Sequence, residues 1–280
     1  MHWFRENFVE HQVFGESEGL RPLRAVKIGR GERRILITAC HHANEFLTGL
    51  CLWSALEDYA IQLQKGVFSA SCAYEETTLL AVPWVNPDGA SLLMGLSPSA
   101  EEEQFRALGK KYLHIPFPEG YKANLRGVDL NLNYPARWEL ARLRKGEMGF
   151  TTPAPRDFPG FAPLSERETI ALTALTESFS PHVAVALHSQ GEELYVNHGG
   201  HCPKGARELG KALSHATGYP LCRTPEGADF AGFKDWFIHR FRRGGVTVEL
   251  GLGENPLPLQ SFPYLAEKTQ NILQTLLQSV

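Results

Sequence analysis

The 280-residue chain is predicted to be an α/β protein, one domain over 1–280 built on a mixed, mostly parallel sheet flanked by helices. Short runs rich in β-branched residues alternate with longer stretches of helical period, the order that gives a parallel or mixed sheet with helices on both faces. Hydrophobic residues make up 43% and charged residues 21% of the chain, enough for a soluble protein to close a substantial core. A chain of this length also suits two small domains, yet no internal repeat or low-complexity linker divides the sequence.

In chain order, Ile35-Leu36-Ile37-Thr38-Ala39 makes 34–39 a strand, and the stretch from 46 to about 64 is a helix with Leu47, Leu50, Leu52, Trp53 and Leu56 apolar. A second strand over 77–85 closes in the turn Asn86-Pro87-Asp88-Gly89. The polar stretch 100–112 reads as a helix leading into the Pro/Gly-rich 114–120. Residues 164–178 form a helix that begins with Ser165 and Glu168 at capping-box spacing. A strand at 183–187, a helix near 203–217, a short helix around 233–240, a strand at 246–250 and a terminal helix from about Pro263 complete the order. The irregular segment 146–163, with several Pro and Gly, is too short to separate domains and is expected to be a rim loop of an active site.

A net charge of −3 gives no reason to expect nucleic acid or an anionic membrane as partner. No apolar run approaches the roughly 20 residues that span a bilayer. The five cysteines, Cys40, Cys51, Cys72, Cys202 and Cys222, form no CxxC pair and fit reduced, mostly buried thiols rather than a disulfide framework. Residues 1–7 include acidic Glu6 and lack an apolar h-region, so no secretory signal is expected and the cytoplasm is the predicted compartment. The oligomeric state stays open.

Chemistry enters where the strands end. His41-His42-Ala43-Asn44-Glu45 follows the first strand, His188 follows Val183-Ala184-Val185-Ala186-Leu187, and Glu249 ends Gly245-Val246-Thr247-Val248. Ligands of open α/β sheets gather beyond such carboxyl ends. His42, Glu45 and His188 make the donor inventory of a hydrolytic zinc site, one Zn²⁺ per chain with a position open for water. The three-residue spacing to Glu45 favours His42 over His41 as ligand. The same donors also accept cobalt or nickel. His188 has a structural alternative, a buried histidine satisfied by backbone, which the polar Ser189-Gln190-Gly191-Glu192-Glu193 opposes. Glu249 can instead be a strand-end ion pair, but a carboxylate after an apolar strand is expensive to bury without a partner or a task. As a general base it would deprotonate the attacking water. The stretch from Lys122 to Asn133 offers a cation that can stabilise an oxyanion, with a solvated turn as the simpler alternative.

The fragments His42-Ala43-Asn44-Glu45, Asn86-Pro87-Asp88-Gly89, Gly127-Val128-Asp129-Leu130-Asn131, His188-Ser189-Gln190-Gly191-Glu192 and Glu249 occur in the order and spacing of the zinc carboxypeptidases, which the chain resembles over about 34–255. Within that family, Lys122-Ala123-Asn124-Leu125-Arg126-Gly127-Val128-Asp129-Leu130-Asn131, Tyr134-Pro135-Ala136, Gly232-Phe233-Lys234-Asp235-Trp236-Phe237 and Gly253-Glu254-Asn255-Pro256-Leu257-Pro258 are most similar to the bacterial γ-D-glutamyl-diamino acid peptidases. The resemblance implies that His42, Glu45 and His188 hold zinc, that Glu249 is the catalytic carboxylate, and that Lys122 stands for the arginine that polarises the scissile carbonyl. Lysine keeps that charge but not the fork of donors. Asn131 matches the asparagine of a carboxylate-gripping Asn–Arg pair whose arginine is replaced by Leu132. The family's capping tyrosine has no counterpart in 223–233, and Tyr219 lies too far upstream.

The implied activity is hydrolysis of the bond between γ-D-glutamate and meso-diaminopimelate or lysine in small peptidoglycan-derived peptides, in a cytoplasmic trimming role. Arg126, Arg223 and Lys234 are then candidate contacts for substrate carboxylates, and Glu192 or Glu193 for its amino end, each with a plain surface charge as the alternative. A muropeptide carboxypeptidase, or another zinc amidase or deacylase on the same fold, is the runner-up. A non-catalytic wall-peptide sensor is a third reading, although a pure binder has no need of Glu249.

Overall fold

The computed structural model describes residues 8–225 and 230–278. The 1–7 stretch read above for a leader lies outside them, as does 226–229 of the loop read for a capping tyrosine. The elements are β1 (Val9–Glu16), β2 (Pro22–Ile28), β3 (Arg33–Ala39), α1 (Phe46–Gln64), α2 (Phe68–Glu76), β4 (Thr77–Val82), α3 (Pro87–Leu93), α4 (Ser99–Gly109), α5 (Trp138–Glu147), α6 (Arg167–Phe179), β5 (Val183–His188), β6 (Glu193–Tyr195), α7 (Ala206–Thr217), β7 (Leu221–Cys222), α8 (Phe233–Phe241), β8 (Gly244–Glu249) and α9 (Phe262–Gln278).

One sheet runs β1-β2-β4-β3-β5-β8-β6-β7. The pairs β4–β3, β3–β5, β5–β8 and β6–β7 are parallel, and β1–β2, β2–β4 and β6–β8 antiparallel. Successive strand residues point to opposite faces, and the central strands are apolar on both. Ile35, Ile37, Val185, Leu187, Val246 and Val248 pack under α1, α7 and α9. Leu36, Leu80, Ala184 and Ala186 pack on the opposite face with Leu172 of α6 and Phe233, Trp236 and Phe237 of α8. Strands covered on both sides read as continuous apolar runs, which is why these four were legible. Burying each such large side chain contributes about 1.5–3 kcal/mol.

The mixed α/β sandwich matches the expected class, while several elements differ in detail. β1 alternates exposed and half-buried residues at the sheet edge, and β2, β6 and β7 are short or amphipathic; none gives an apolar run. The strand expected over 77–85 stops at Val82, and the turn after it is a helix start, with the Asn86 side chain accepting the Gly89 amide at 3.0 Å and Pro87 in the first turn. α1 ends in a Schellman motif, Gly66 at φ 65° donating to Leu63 O and Val67 to Gln62 O. The capping box expected at Ser165 and Glu168 does not form. α6 begins at Arg167, Ser165 Oγ donates to Glu166 Oε1 at 2.7 Å, and Glu168 Oε1 accepts the Glu18 amide. Segment 146–163 does not line the cleft described below. It is a strap behind it, whose Pro155 O accepts the Lys122 and Ala123 amides and Phe158 O the Asp129 amide. All five cysteines are unpaired, Cys40 and Cys51 buried and the others partly so.

Candidate metal centre

β3 releases the chain at Cys40, a non-glycine residue at φ 53°. Thr48 on α1 pins this turn, accepting the Cys40 amide at 3.0 Å and donating to Glu45 O at 2.7 Å. The short 3-10 turn that follows, Ala43–Glu45, places His42 and Glu45 side by side. The Ala43 and Asn44 amides donate to Lys122 O and Tyr121 O, which brings the segment from 121 onward against the same turn. From the sheet, the parallel register of β5 and β8 sets His188 directly beside Glu249.

These elements converge on Glu45. Its Oε1 lies 2.7 Å from His42 Nδ1 and 3.3 Å from Lys122 Nζ. Its Oε2 lies 2.9 Å from His188 Nδ1 and accepts the Ser189 amide at 3.3 Å. Burial alone raises a carboxyl, but His42, Lys122 and His188 hold Glu45 well below the usual carboxylate range. Against burial, which lowers it, Glu45 carries the His42 imidazole up to about 9. The pocket between these groups therefore stabilises positive charge.

Two imidazole nitrogens and one carboxylate oxygen lie within 4.8 Å of one another there. That set can hold a divalent ion, and its N,N,O chemistry fits zinc. Two further observations agree. His42 Nε2 lies 3.2 Å from Asp129 Oδ1, a placement in which an outer carboxylate can fix the tautomer and leave Nδ1 free to bind an ion. His188 is 2% exposed and, like His42, directs Nδ1 at the centre. His41 turns away to Tyr134 OH at 3.1 Å and stacks on His188, and burial holds it well below the usual histidine range.

Glu249 lines the same cleft of about 330 Å³. Burial pushes its carboxyl up to about 7, with Glu45 adding to the rise and His188, Lys122 and His42 opposing it. Lys122 lines the cleft as well. Asn131 does too, with Oδ1 accepting the Phe233 amide at 3.0 Å. Leu132 packs against the cluster of Trp138, Phe230 and Ala231.

The other expected contacts divide. Lys234 lines the cleft. Arg126 does not, and its half-exposed guanidinium lies 3.7 Å from both Glu18 and Glu166. Arg223 is exposed and outside the lining. Glu192 accepts from Tyr264 OH at 2.7 Å, and Glu193 from Tyr195 OH.

Three cleft or support residues were not singled out from sequence. Asp129 lies inside the Gly127–Asn131 fragment, where its spacing from Asn131 was the available signal. Asn255 clasps Ser189, donating to its carbonyl at 2.6 Å and accepting from its hydroxyl at 2.9 Å, with Nδ2 3.5 Å from Glu45 Oε1. Tyr195 lines the cleft through a strand pairing that no local pattern announces.

Comparison with known proteins agrees with this architecture. The zinc carboxypeptidase family model matches residues 5–272. The chain is 36% identical over 269 residues to the gamma-D-glutamyl-L-diamino acid endopeptidase 1 of Lysinibacillus sphaericus, covering 95% of this chain and 66% of that protein. It is 36% identical over 275 residues to the uncharacterized protein YqgT of Bacillus subtilis (strain 168), covering 95% of this chain and 71% of that one. The carboxypeptidase A of Helicoverpa armigera shares the fold at a TM-score of 0.68 and 18% identity, over 96% of this chain and 67% of that one. Matched by the family model over nearly its whole length and by a relative at 36% identity, the chain belongs to the zinc carboxypeptidase family.

Proposed function

We propose that the protein is a zinc peptidase that hydrolyses the amide between γ-D-glutamate and a diamino acid in small peptidoglycan-derived peptides. The observation that carries the reading is the convergence of His42, Glu45 and His188 around one charge-stabilising point, with Glu249 in the same cleft. The name of the relative at 36% identity supports the substrate class. Leu132 adds to it: with an apolar residue there packed against the cluster of Trp138, no arginine among the described residues lines the cleft to grip the C-terminal carboxylate of an ordinary peptide. Described residues from β1 to α9 share one sheet and its two helical layers, which supports a single catalytic domain. The five free cysteines support a reducing setting such as the cytoplasm. Among the described residues, no helix is long and apolar enough to cross a membrane.

His42, Glu45 and His188 would hold the ion, whose Lewis acidity makes water a nucleophile near neutral pH. Asp129 keeps the His42 ring oriented. Glu249 takes the proton from the attacking water and delivers it to the leaving amine, and its raised pKa suits both halves of that transfer. The Lys122 ammonium, which lines the same cleft, offsets the charge that develops on the carbonyl oxygen. Asn131 offers its carboxamide to the substrate backbone.

The test is Glu249→Gln assayed on L-Ala-γ-D-Glu-meso-diaminopimelate, with bound zinc measured in the same preparation. Turnover should fall about a hundred- to ten-thousand-fold with zinc retained. Near-normal turnover removes Glu249 from the mechanism, and cleavage of blocked ordinary peptides alone rejects the substrate class.

A further inference from the structure

Behind the candidate metal donors, the strap 146–163 grips Asp129 from two adjacent residues. Phe158 O accepts the Asp129 amide at 2.8 Å, and the Asp157 amide donates to Asp129 Oδ2 at 3.3 Å. The other carboxylate oxygen, Oδ1, faces His42 Nε2 at 3.2 Å and accepts the Asn131 amide at 3.2 Å. Asn131 belongs to the short turn that Asp129 itself begins, so Oδ1 is held only locally. By itself that hold lets the carboxylate swing. The Asp157 amide is a second point from a distant segment, and two points fix the plane in which Oδ1 meets the imidazole.

That amide is delivered by an uncommon backbone. Asp157 is a non-glycine residue at φ 65°, a left-handed conformation that few side chains adopt, Asp and Asn being the enriched exceptions. Phe158 is anchored in the cluster of Ile115, Val128, Phe150 and Ala154. The φ of Asp157 therefore decides where its own N–H points relative to that anchor. The Asp157 carboxylate is tethered in turn: Oδ1 accepts from Lys145 Nζ, and Oδ2 from Arg156 Nε at 2.7 Å. The Lys145 and Asp157 side chains are each 14% exposed. Such a pair is screened little, and truncating one partner strands the other. Lys145 sits in the last turn of α5, where a cation meets the unpaired carbonyls. Arg156 is 38% exposed, and an exposed pair contributes little.

We propose that Asp157 and Lys145 are positioning residues of the metal centre. Their ion pair locks the Asp157 backbone, which aims its amide at Asp129 and so fixes the His42 ring for the ion. The inference rests on His42 being a ligand, as proposed above. It goes beyond that reading by placing part of the control of zinc affinity on α5 and the strap. Neither Asp157 nor Lys145 lines the cleft, so both act through Asp129 rather than on substrate.

The experiment measures zinc affinity by chelator competition in wild type, His42→Ala, Asp157→Gly, Lys145→Met, the double variant of the last two, and Lys145→Arg. Asp157→Gly permits the left-handed backbone but loses the tether, and Lys145→Met keeps the stem but loses the charge. Each should weaken zinc binding about tenfold, the lower end of what an outer partner of a ligand contributes. The double variant should bind no more weakly than either single one, because both act through one contact. Lys145→Arg should keep most of the affinity. In the metal-free proteins, nitrogen NMR of the His42 ring should show the proton on Nε2 in wild type and mixed tautomers in the two single variants. Loss of stability alone does not produce that signature. Phe161→Ala removes a ring 5.1 Å from that of Phe158 on the same strap and should change neither readout. Unchanged zinc affinity in Asp157→Gly and Lys145→Met overturns the proposal, as does additivity in the double variant or an equal loss in Phe161→Ala. If wild type binds no zinc, or His42→Ala binds it as well, the metal reading fails instead. The metal-free ring then decides, and identical spectra in wild type and Lys145→Met sink the positioning role.

Discussion

At Glu45 a single buried carboxylate meets His42, His188, Lys122 and the Ser189 amide. Such concentration of donors on one anion is costly to disturb, because removing a partner strands a charge in a dry place. Around it, supporting side chains act at one remove. Asp129 is itself held, accepting the Asn131 amide at 3.2 Å and the Asp157 amide at 3.3 Å. Asp129→Asn should weaken zinc binding about 10–100-fold, measured by competition with a chromophoric chelator; unchanged affinity would show that His42 needs no such partner. Asn255→Ala should free Ser189 behind His188 and lower affinity in the same assay, while Asn255→Gln should not restore it, since the longer amide misplaces both hydrogen bonds.

Among the elements, α6 carries a group with a pH signature of its own. Glu168 is fully buried beside Asn124 Nδ2 at 3.3 Å, with Glu166 on the same amide, and burial pushes its carboxyl up to about 8, with Asp88 and Glu18 adding to the rise. The unfolded chain keeps that proton only below about 4.5, whereas the folded chain keeps it to about 8. The native state therefore binds the extra proton between those values. The stability it contributes is complete below the lower value and is lost as pH rises through the upper one. Urea midpoints of wild type should fall between about pH 5 and pH 9, and Glu168→Gln should flatten that decline. An unaltered slope would place the pH dependence elsewhere. The consequence reaches the site, because Asn124 also fixes the turn from Lys122 to Asp129 by accepting the Arg126 and Val128 amides.

Across the whole molecule, the proposed metal centre joins parts that are distant in sequence: His42 and Glu45 after β3, and His188 at the end of β5 beside β8. An ion held by all three binds the native state alone, so its binding energy is added to folding. At a free zinc concentration a hundredfold above its dissociation constant, the gain is about 2.7 kcal/mol. Thermal melts should rise with zinc and fall on chelation, and Glu45→Gln should abolish the difference. A zinc-independent midpoint in the wild type would deny that these three residues form one site.

The buried centre of the sheet was legible from sequence because β3, β4, β5 and β8 are apolar on both faces, and α1 repeats apolar residues up to a stop at Gly66. The candidate metal donors were legible for a related reason: each lies at the end of such a strand, and strand ends are where this topology collects ligands. The outer strands were not, since β1 at one edge and β6 next to the other edge carry polar residues that only a neighbouring strand can explain. That Arg126 lies beside Glu18 and Glu166 was likewise invisible in the sequence. The sequence by itself determined the class of fold and the inventory of donors, because strand patterning and ligand type are local properties. Tertiary structure alone decided which charges meet, setting Tyr195 on Glu193, Lys234 over Gly245 and Asp129 behind His42. Register and burial govern those encounters, and both arise only when distant segments pack.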